Sequence, residues 1–243
     1  VNRLLVPGAA PGALTVSGPR FHYLARVLRL DAGDALEVFD GAGQAFDATL
    51  LRVDEASAQL SLGPARAAPS ERAITVVQGL PKGDKLELVV QKGTELGVAA
   101  FAPAACARSV VKLDERAAAT RVTRWRTIAE EAARQCGRAD VPRVAAPAPL
   151  AAAVAALAPG TAVLVLDEAE RAVTLSQAVA TLGEPRAPVA LVIGPEGGLE
   201  RAEVDALVAR GAIPVTLGRL VLRTETAALA AVAVLRHLDG ALG

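Results

Sequence analysis

The chain has 243 residues, 52% of them hydrophobic, which supports one large domain or a small one joined to a medium one and excludes a chain without a core. Its formal net charge is zero, so charge balance alone does not establish a nucleic-acid partner. Of its 26 basic residues 22 are arginine, whose planar forks suit phosphates and base edges, although an Ala- and Arg-rich composition produces the same bias.

The first 70 residues carry short alternating or apolar runs at 35–39 and 46–51, separated by the turn signals Asp31-Ala32-Gly33-Asp34 and Asp40-Gly41-Ala42-Gly43. They predict a small β-barrel over residues 1–70. No secretory core or cleavage site follows the N-terminal Val1-Asn2-Arg3-Leu4-Leu5-Val6-Pro7, so a cytoplasmic location is expected. His22 reads as a satisfied barrel residue. Pro64, Pro69 and the Ala/Arg/Ser stretch between them form the best linker.

Beyond the linker, residues 71–243 alternate strands and helices, the pattern of an α/β domain with a mainly parallel sheet. Residues 74–77 predict a strand, and Asp84 with Glu87 predicts a capping box for the helix that follows. Leu86, Val89, Val90 and Leu96 share one face of that helix, and Val122, Trp125, Ile128, Ala129, Ala132 and Cys136 form a second stripe. Residues 144–166 are uncharged and just long enough to span a bilayer, but Pro147, Pro149, Pro159 and Gly160 break them into a loop, a short helix and a buried strand. No membrane association is expected. Cys106, Cys136, His22 and His237 lack the close pairing of a zinc site, so neither metal nor disulfide is expected.

Three further aliphatic runs, at 163–166, 189–193 and 213–217, suit buried parallel strands. The second runs into Gly194-Pro195-Glu196-Gly197-Gly198, where glycines let main-chain N–H groups turn toward a ligand. That loop matches neither the Gly-Lys-Ser/Thr nor the G-x-G-x-x-G pattern, which disfavours nucleoside triphosphates and nicotinamide cofactors. The third run opens Leu217-Gly218-Arg219-Leu220-Val221-Leu222-Arg223-Thr224-Glu225-Thr226-Ala227, with apolar residues in a loop as if to line a slot for a flat ring. Thr224 and Glu225 could equally cap and charge-match the last helix, expected over 225–238.

These two segments together resemble the bacterial RsmE-type 16S rRNA uridine-N3 methyltransferases of the SPOUT superfamily. The resemblance extends to His22-Tyr23-Leu24 with Val27-Leu28-Arg29, to Lys82-Gly83-Asp84-Lys85 with Gln91-Lys92-Gly93-Thr94-Glu95-Leu96-Gly97, and to Gln135-Cys136-Gly137-Arg138. It implies a PUA-like RNA-binding barrel, a trefoil-knotted α/β domain, a homodimer with a shared site, and S-adenosylmethionine as cofactor. Gly194, Gly197 and Gly198 would then contact the methionine side and Leu217, Leu222 and Ala227 the adenine, with Leu166, Ile193, Gly218 and Thr224 completing the site.

Arg223 is the candidate for stabilising charge on the base, and Glu196 and Glu225 are the candidate proton acceptors. The substrate expected is 16S ribosomal RNA or the small ribosomal subunit. The alternatives are a superfamily enzyme acting on ribose 2′-oxygen or transfer RNA, or a non-catalytic RNA-binding assembly factor. Between Arg108 and Arg143 nine basic residues face five acidic ones, and Arg26, Arg29, Arg108, Lys112 and Arg138 are the candidate RNA contacts. Two departures stand out: Ala107 and Arg134 occupy positions where the family usually has Glu.

Overall fold

The computed structural model describes residues 1–69, 71–184 and 186–243. The chain divides into two compact units, Val1–Ser70 with Glu130–Val141, and Glu71–Ala129 with Pro142–Gly243.

In the first unit β1 (Arg3–Leu5), β2 (Gly12–Ser17), β3 (Ala35–Phe39), β4 (Gln44–Val53) and β5 (Ser57–Ala67) form one sheet in the order β1-β3-β4-β5-β2. Register shifts at Phe46/Ala48 and Leu50/Arg52 bend the long β4–β5 pair. Alternating residues Phe46, Ala48 and Leu50 enter the core beside Val38, Leu60 and Leu24. Helix α1 (Gly18–His22) runs into a π-helical turn, Tyr23–Leu28, closed by Arg29 in the left-handed region at φ 54°. His22 is exposed there, not buried in the barrel: it ends a helix that buries none of its own residues.

The second unit is a seven-stranded parallel sheet. Its elements are β6 (Ile74–Gly79), α2 (Lys85–Glu95), β7 (Ala100–Ala105), α3 (Glu115–Cys136), β8 (Arg143–Val144), β9 (Ala148–Pro149), α4 (Leu150–Ala155), β10 (Ala162–Leu166), α5 (Leu175–Ala180), β11 (Val189–Ile193), α6 (Arg201–Val208), β12 (Ile213–Val215) and α7 (Thr224–Leu238). The strand order β12-β10-β11-β6-β7-β8, with β9 also on β7, places β11 centrally, where all five of its residues are buried. The divided stretch 144–166 becomes the end of β8, the short strand β9, a helix and β10, and among the described residues no helix is long and apolar enough to cross a membrane. The third run ends earlier than the sequence suggests, because Thr216 leaves the ladder to bridge Thr174.

The expected cap at Asp84 is absent, and the cap that is one of two readings for Thr224 is not made either. Asp84 makes no side-chain cap bond, and Glu87 instead pairs with Arg124 on α3 at 3.2 Å. Helix α7 starts one residue early, so that Thr224 is its first residue and its hydroxyl serves the neighbouring loop. Ala228 and Ala231 are fully buried on α7, and their lack of bulk lets the helix pack closely against α2 and the sheet.

Candidate active site

The carboxyl ends of parallel strands leave crevices where ligands bind, and the site lies at the ends of β10, β11 and β12. A side-chain carbon at Gly194 would come within 2.7 Å of the Gly198 carbonyl carbon, and one at Gly79 within 2.6 Å of the Pro195 nitrogen. Only glycine permits these backbones to approach so closely. Gly198 adds a left-handed φ of 70°.

A buried network fixes this turn. Thr224 Oγ1 donates to the Gly194 carbonyl at 2.6 Å and accepts from Gln78 Nε2 at 2.7 Å. Gln78, fully buried at the end of β6, thereby ties three chain segments together, although its Oε1 has no donor. A buried amide of this kind costs stability unless bonded, so the three segments are held in one arrangement. Gln78 escapes a reading by hydrophobic runs; the available signal was a polar residue followed by glycine at the end of a buried parallel strand.

Between this turn and residues 217–223 lies a cavity of about 760 Å³, within the usual range for small-molecule sites. Leu166, Ile193, Gly194 and Gly198 line one side, and Leu217, Gly218, Leu222, Thr224 and Ala227 the other. Gly197, also expected there, is not in the wall: a side-chain carbon on it would meet Arg108 Cβ at 3.2 Å. Leu220 and Val221 line the cavity mouth yet remain 71% and 76% exposed.

The charged groups divide into committed and free. Lys85 Nζ lies 2.6 Å from Glu196 Oε1 and 3.9 Å from Glu225 Oε2. Burial pushes the Glu196 carboxyl up, but hydrogen bonds from Lys85, its own main-chain N–H and that of Lys82, with the Lys85 charge, outweigh this and hold it below the usual carboxylate range. Glu225 does not reach the cavity wall; its Oε2 is buried and accepts no hydrogen bond. Asp167 is engaged by Arg201 at 2.9 Å. Arg219 and Arg223 line the cavity, exposed and with no side-chain partner among the described residues. Cys106 is buried, and burial and then the Glu203 charge push its thiol up to about 12, away from the thiolate form.

Of the expected RNA contacts, Arg26 and Arg29 are exposed on the π-helical turn of the first unit, and Arg108 and Lys112 on the loop after β7 in the second. Arg108 also lines the cavity and donates through Nη1 to the Gly197 carbonyl at 2.9 Å. Arg138 is largely buried and paired with Asp140, which leaves it little reach toward a phosphate. Ala107 donates its main-chain N–H to Glu203 on α6, and Arg134 stacks over the Tyr23 ring at 4.4 Å.

The family model described as an RNA methyltransferase domain matches residues 68–236, and that of an RNA methyltransferase PUA domain matches residues 16–62. Over 228 residues the chain is 33% identical to the ribosomal RNA small subunit methyltransferase E of Bacillus subtilis, covering 92% of this chain and 89% of that protein. The Mycobacterium bovis protein of the same name is 36% identical over 89% of this chain and 83% of its own length. The structure of the Neisseria gonorrhoeae enzyme of that name, bound to S-adenosyl methionine, superposes with a TM-score of 0.85 at 30% identity, covering 98% of this chain and 97% of that one. With a glycine-built cavity at the strand ends of a parallel sheet, a PUA domain before it and these relatives along its length, the chain belongs to the RNA methyltransferase family of the ribosomal RNA small subunit methyltransferases E.

Proposed function

We propose that this chain methylates N3 of a uridine in 16S ribosomal RNA, with S-adenosylmethionine as methyl donor, in the cytoplasm. The observation that carries this reading is the cavity itself, where a glycine turn that any side chain would fill faces the apolar residues 217–222. Its volume accommodates a nucleoside with an amino-acid tail. Leu217, Leu222 and Ala227 would enclose the adenine, while Gly194 and Gly198 would offer main-chain groups to the methionine side. When bound, the cofactor supplies an electrophilic methyl group on sulfur.

The work left to the protein is alignment and charge stabilisation. Uracil N3 must lose its proton, and the resulting charge spreads onto the ring carbonyls. Arg223, free at the mouth and fixed by its position at the start of α7, would bind a carbonyl oxygen and favour the anionic base. Glu196 is a poor acceptor for the proton because Lys85 holds it ionised at low basicity, so its part is to anchor the turn. Glu225 would act on Lys85 instead of on the base.

We infer further that the chain is knotted and dimeric. Residues after β12 run beside the loop after β10, with Thr216 N donating to Val173 O at 2.9 Å and Leu175 N to Thr216 O at 3.2 Å, before α7 begins against Gly194. This course fits a threaded chain, one of the rare exceptions to unknotted connections. Exposed Leu220 and Val221 beside the cavity suit burial against a second copy. Arg26 and Arg29 on the PUA-like unit, with Lys112 on the other, would contact RNA phosphates.

The experiment is nucleoside mass spectrometry of 16S RNA, free or in small subunits, after incubation with the chain and cofactor. The expected product is 3-methyluridine. A 2′-O-methylnucleoside, methylation of transfer RNA alone, or no methylation despite cofactor binding would overturn the assignment.

A further inference from the structure

Beside Arg219 and Arg223, the cavity holds two opposite charges, Arg108 and Glu168, without a side-chain partner among the described residues. Resting on the cofactor reading above, we propose that Arg108 and Glu168 flank the glycine turn as a pair of recognition groups for the zwitterionic amino-acid tail of the cofactor. Arg108 would take the α-carboxylate and Glu168 the α-ammonium.

The placement comes from the turn itself. A side-chain carbon at Gly197 would lie 3.2 Å from Arg108 Cβ and 3.5 Å from its Cδ, while one at Gly198 would lie 3.4 Å from Glu168 Oε1. The two consecutive glycines therefore have a cation against the first and an anion against the second. Both Arg108 and Glu168 line the cavity and both are exposed. They form no ion pair with each other within 4.0 Å; Arg108 is steered by its bond to the Gly197 carbonyl, and the Glu168 carboxylate has no partner among the described residues.

The remaining charges near this end are already used. Asp167 is bound by Arg201, Glu196 by Lys85, and Arg171 directs Nη1 to the main-chain carbonyls of Glu168 and Glu170. Arg201 is shared between Asp167 and Asp205. A ligand bearing one carboxylate and one ammonium on the same carbon matches the one free anion here and the arginine across the turn, whereas a phosphate or a plain nucleoside would leave Glu168 unmatched. The pairing would orient the tail and so fix where the nucleoside lies against residues 217–222.

Calorimetric titration with three ligands tests this without catalysis: S-adenosylhomocysteine, with the whole tail; decarboxylated S-adenosylmethionine, with the ammonium alone; and 5′-methylthioadenosine, with no tail. Hydrogen bonds to charged groups carry enough energy for a change of about tenfold. Glu168→Gln should weaken S-adenosylhomocysteine and the decarboxylated ligand about tenfold and leave methylthioadenosine unchanged. Arg108→Gln should weaken S-adenosylhomocysteine alone. Undiminished affinity for S-adenosylhomocysteine in either variant, or an equal loss for methylthioadenosine, would overturn the assignment. Failure of the unmodified protein to bind any of the three would instead overturn the cofactor reading on which it rests.

Discussion

The two walls of the cavity are built on opposite plans. The Gly194–Gly198 turn is fixed from every side: Gly194 O accepts from Thr224 and Gln78, Glu196 from Lys82 and Lys85, and Gly197 O from Arg108. Residues 218–221 across from it are exposed, with apolar Leu220 and Val221 uncovered and Arg219 and Arg223 without a side-chain partner among the described residues. A wall that must present main-chain groups at fixed positions cannot be assembled by the ligand without an entropic cost, so it is formed in advance. The opposite wall keeps its charges and apolar surface free for a base, a phosphate or a second chain.

The sharpest way to break the fixed wall is steric. Gly194→Val drives a side chain into the Gly198 backbone, and Gly198→Val adds left-handed strain at φ 70°; each should abolish binding of S-adenosylhomocysteine by calorimetry. Gly197→Val meets only the side chain and carbonyl of Arg108, and should weaken binding without abolishing it. Equal loss in all three would contradict the ranking that the geometry sets.

On the open wall, Arg223→Ala should lower kcat by roughly 10²-fold, the scale of losing one charge-stabilising donor, and leave cofactor affinity near that of the parent. A matching loss in cofactor affinity would show Arg223 serving the fixed site instead.

The network behind the fixed wall gives an effect on stability. Thr224→Val removes the shortest bond of the Gln78 amide and a donor from Gly194, so denaturant unfolding should show a loss of about 1–3 kcal/mol. On the dimer reading proposed above, Leu220→Asp on the open wall should lower the mass seen by light scattering from dimer to monomer, with only the concentration-dependent loss of stability that dissociation brings.

The smallest effect is the response to acid. The Glu196 carboxyl is lower in the folded chain than in the unfolded one, so its ion pair with Lys85 contributes fully above the ordinary carboxylate value and is lost as pH falls through the lowered value. The stability contributed by this pair should therefore hold above the ordinary carboxylate range and fall only as pH drops through the lowered value, and Glu196→Gln should shrink that acid-dependent loss in denaturant unfolding.

The same division explains what was legible in the sequence. An unbroken aliphatic run located β11, and periodicity located α2 and the buried stripe of α3, because burial writes itself into composition and spacing. The glycine turn was legible as Gly194-Pro195-Glu196-Gly197-Gly198, since close backbone approach demands that residue type. Gln78, Glu168 and the engagement of Arg138 by Asp140 were not, because they depend on which loops meet in space. The capping box at Asp84 failed for a related reason: Glu87 had a better partner in Arg124, 37 residues away.

The contrast between a fixed and an open wall is tested most directly by hydrogen–deuterium exchange with and without S-adenosylhomocysteine. The Gly198 amide, bonded to the Pro195 carbonyl at 2.9 Å, should be slow to exchange already in the free protein, while residues 217–223 should exchange fast when free and become strongly protected on binding. Protection that appears only in residues 194–199, or in neither segment, would contradict this account.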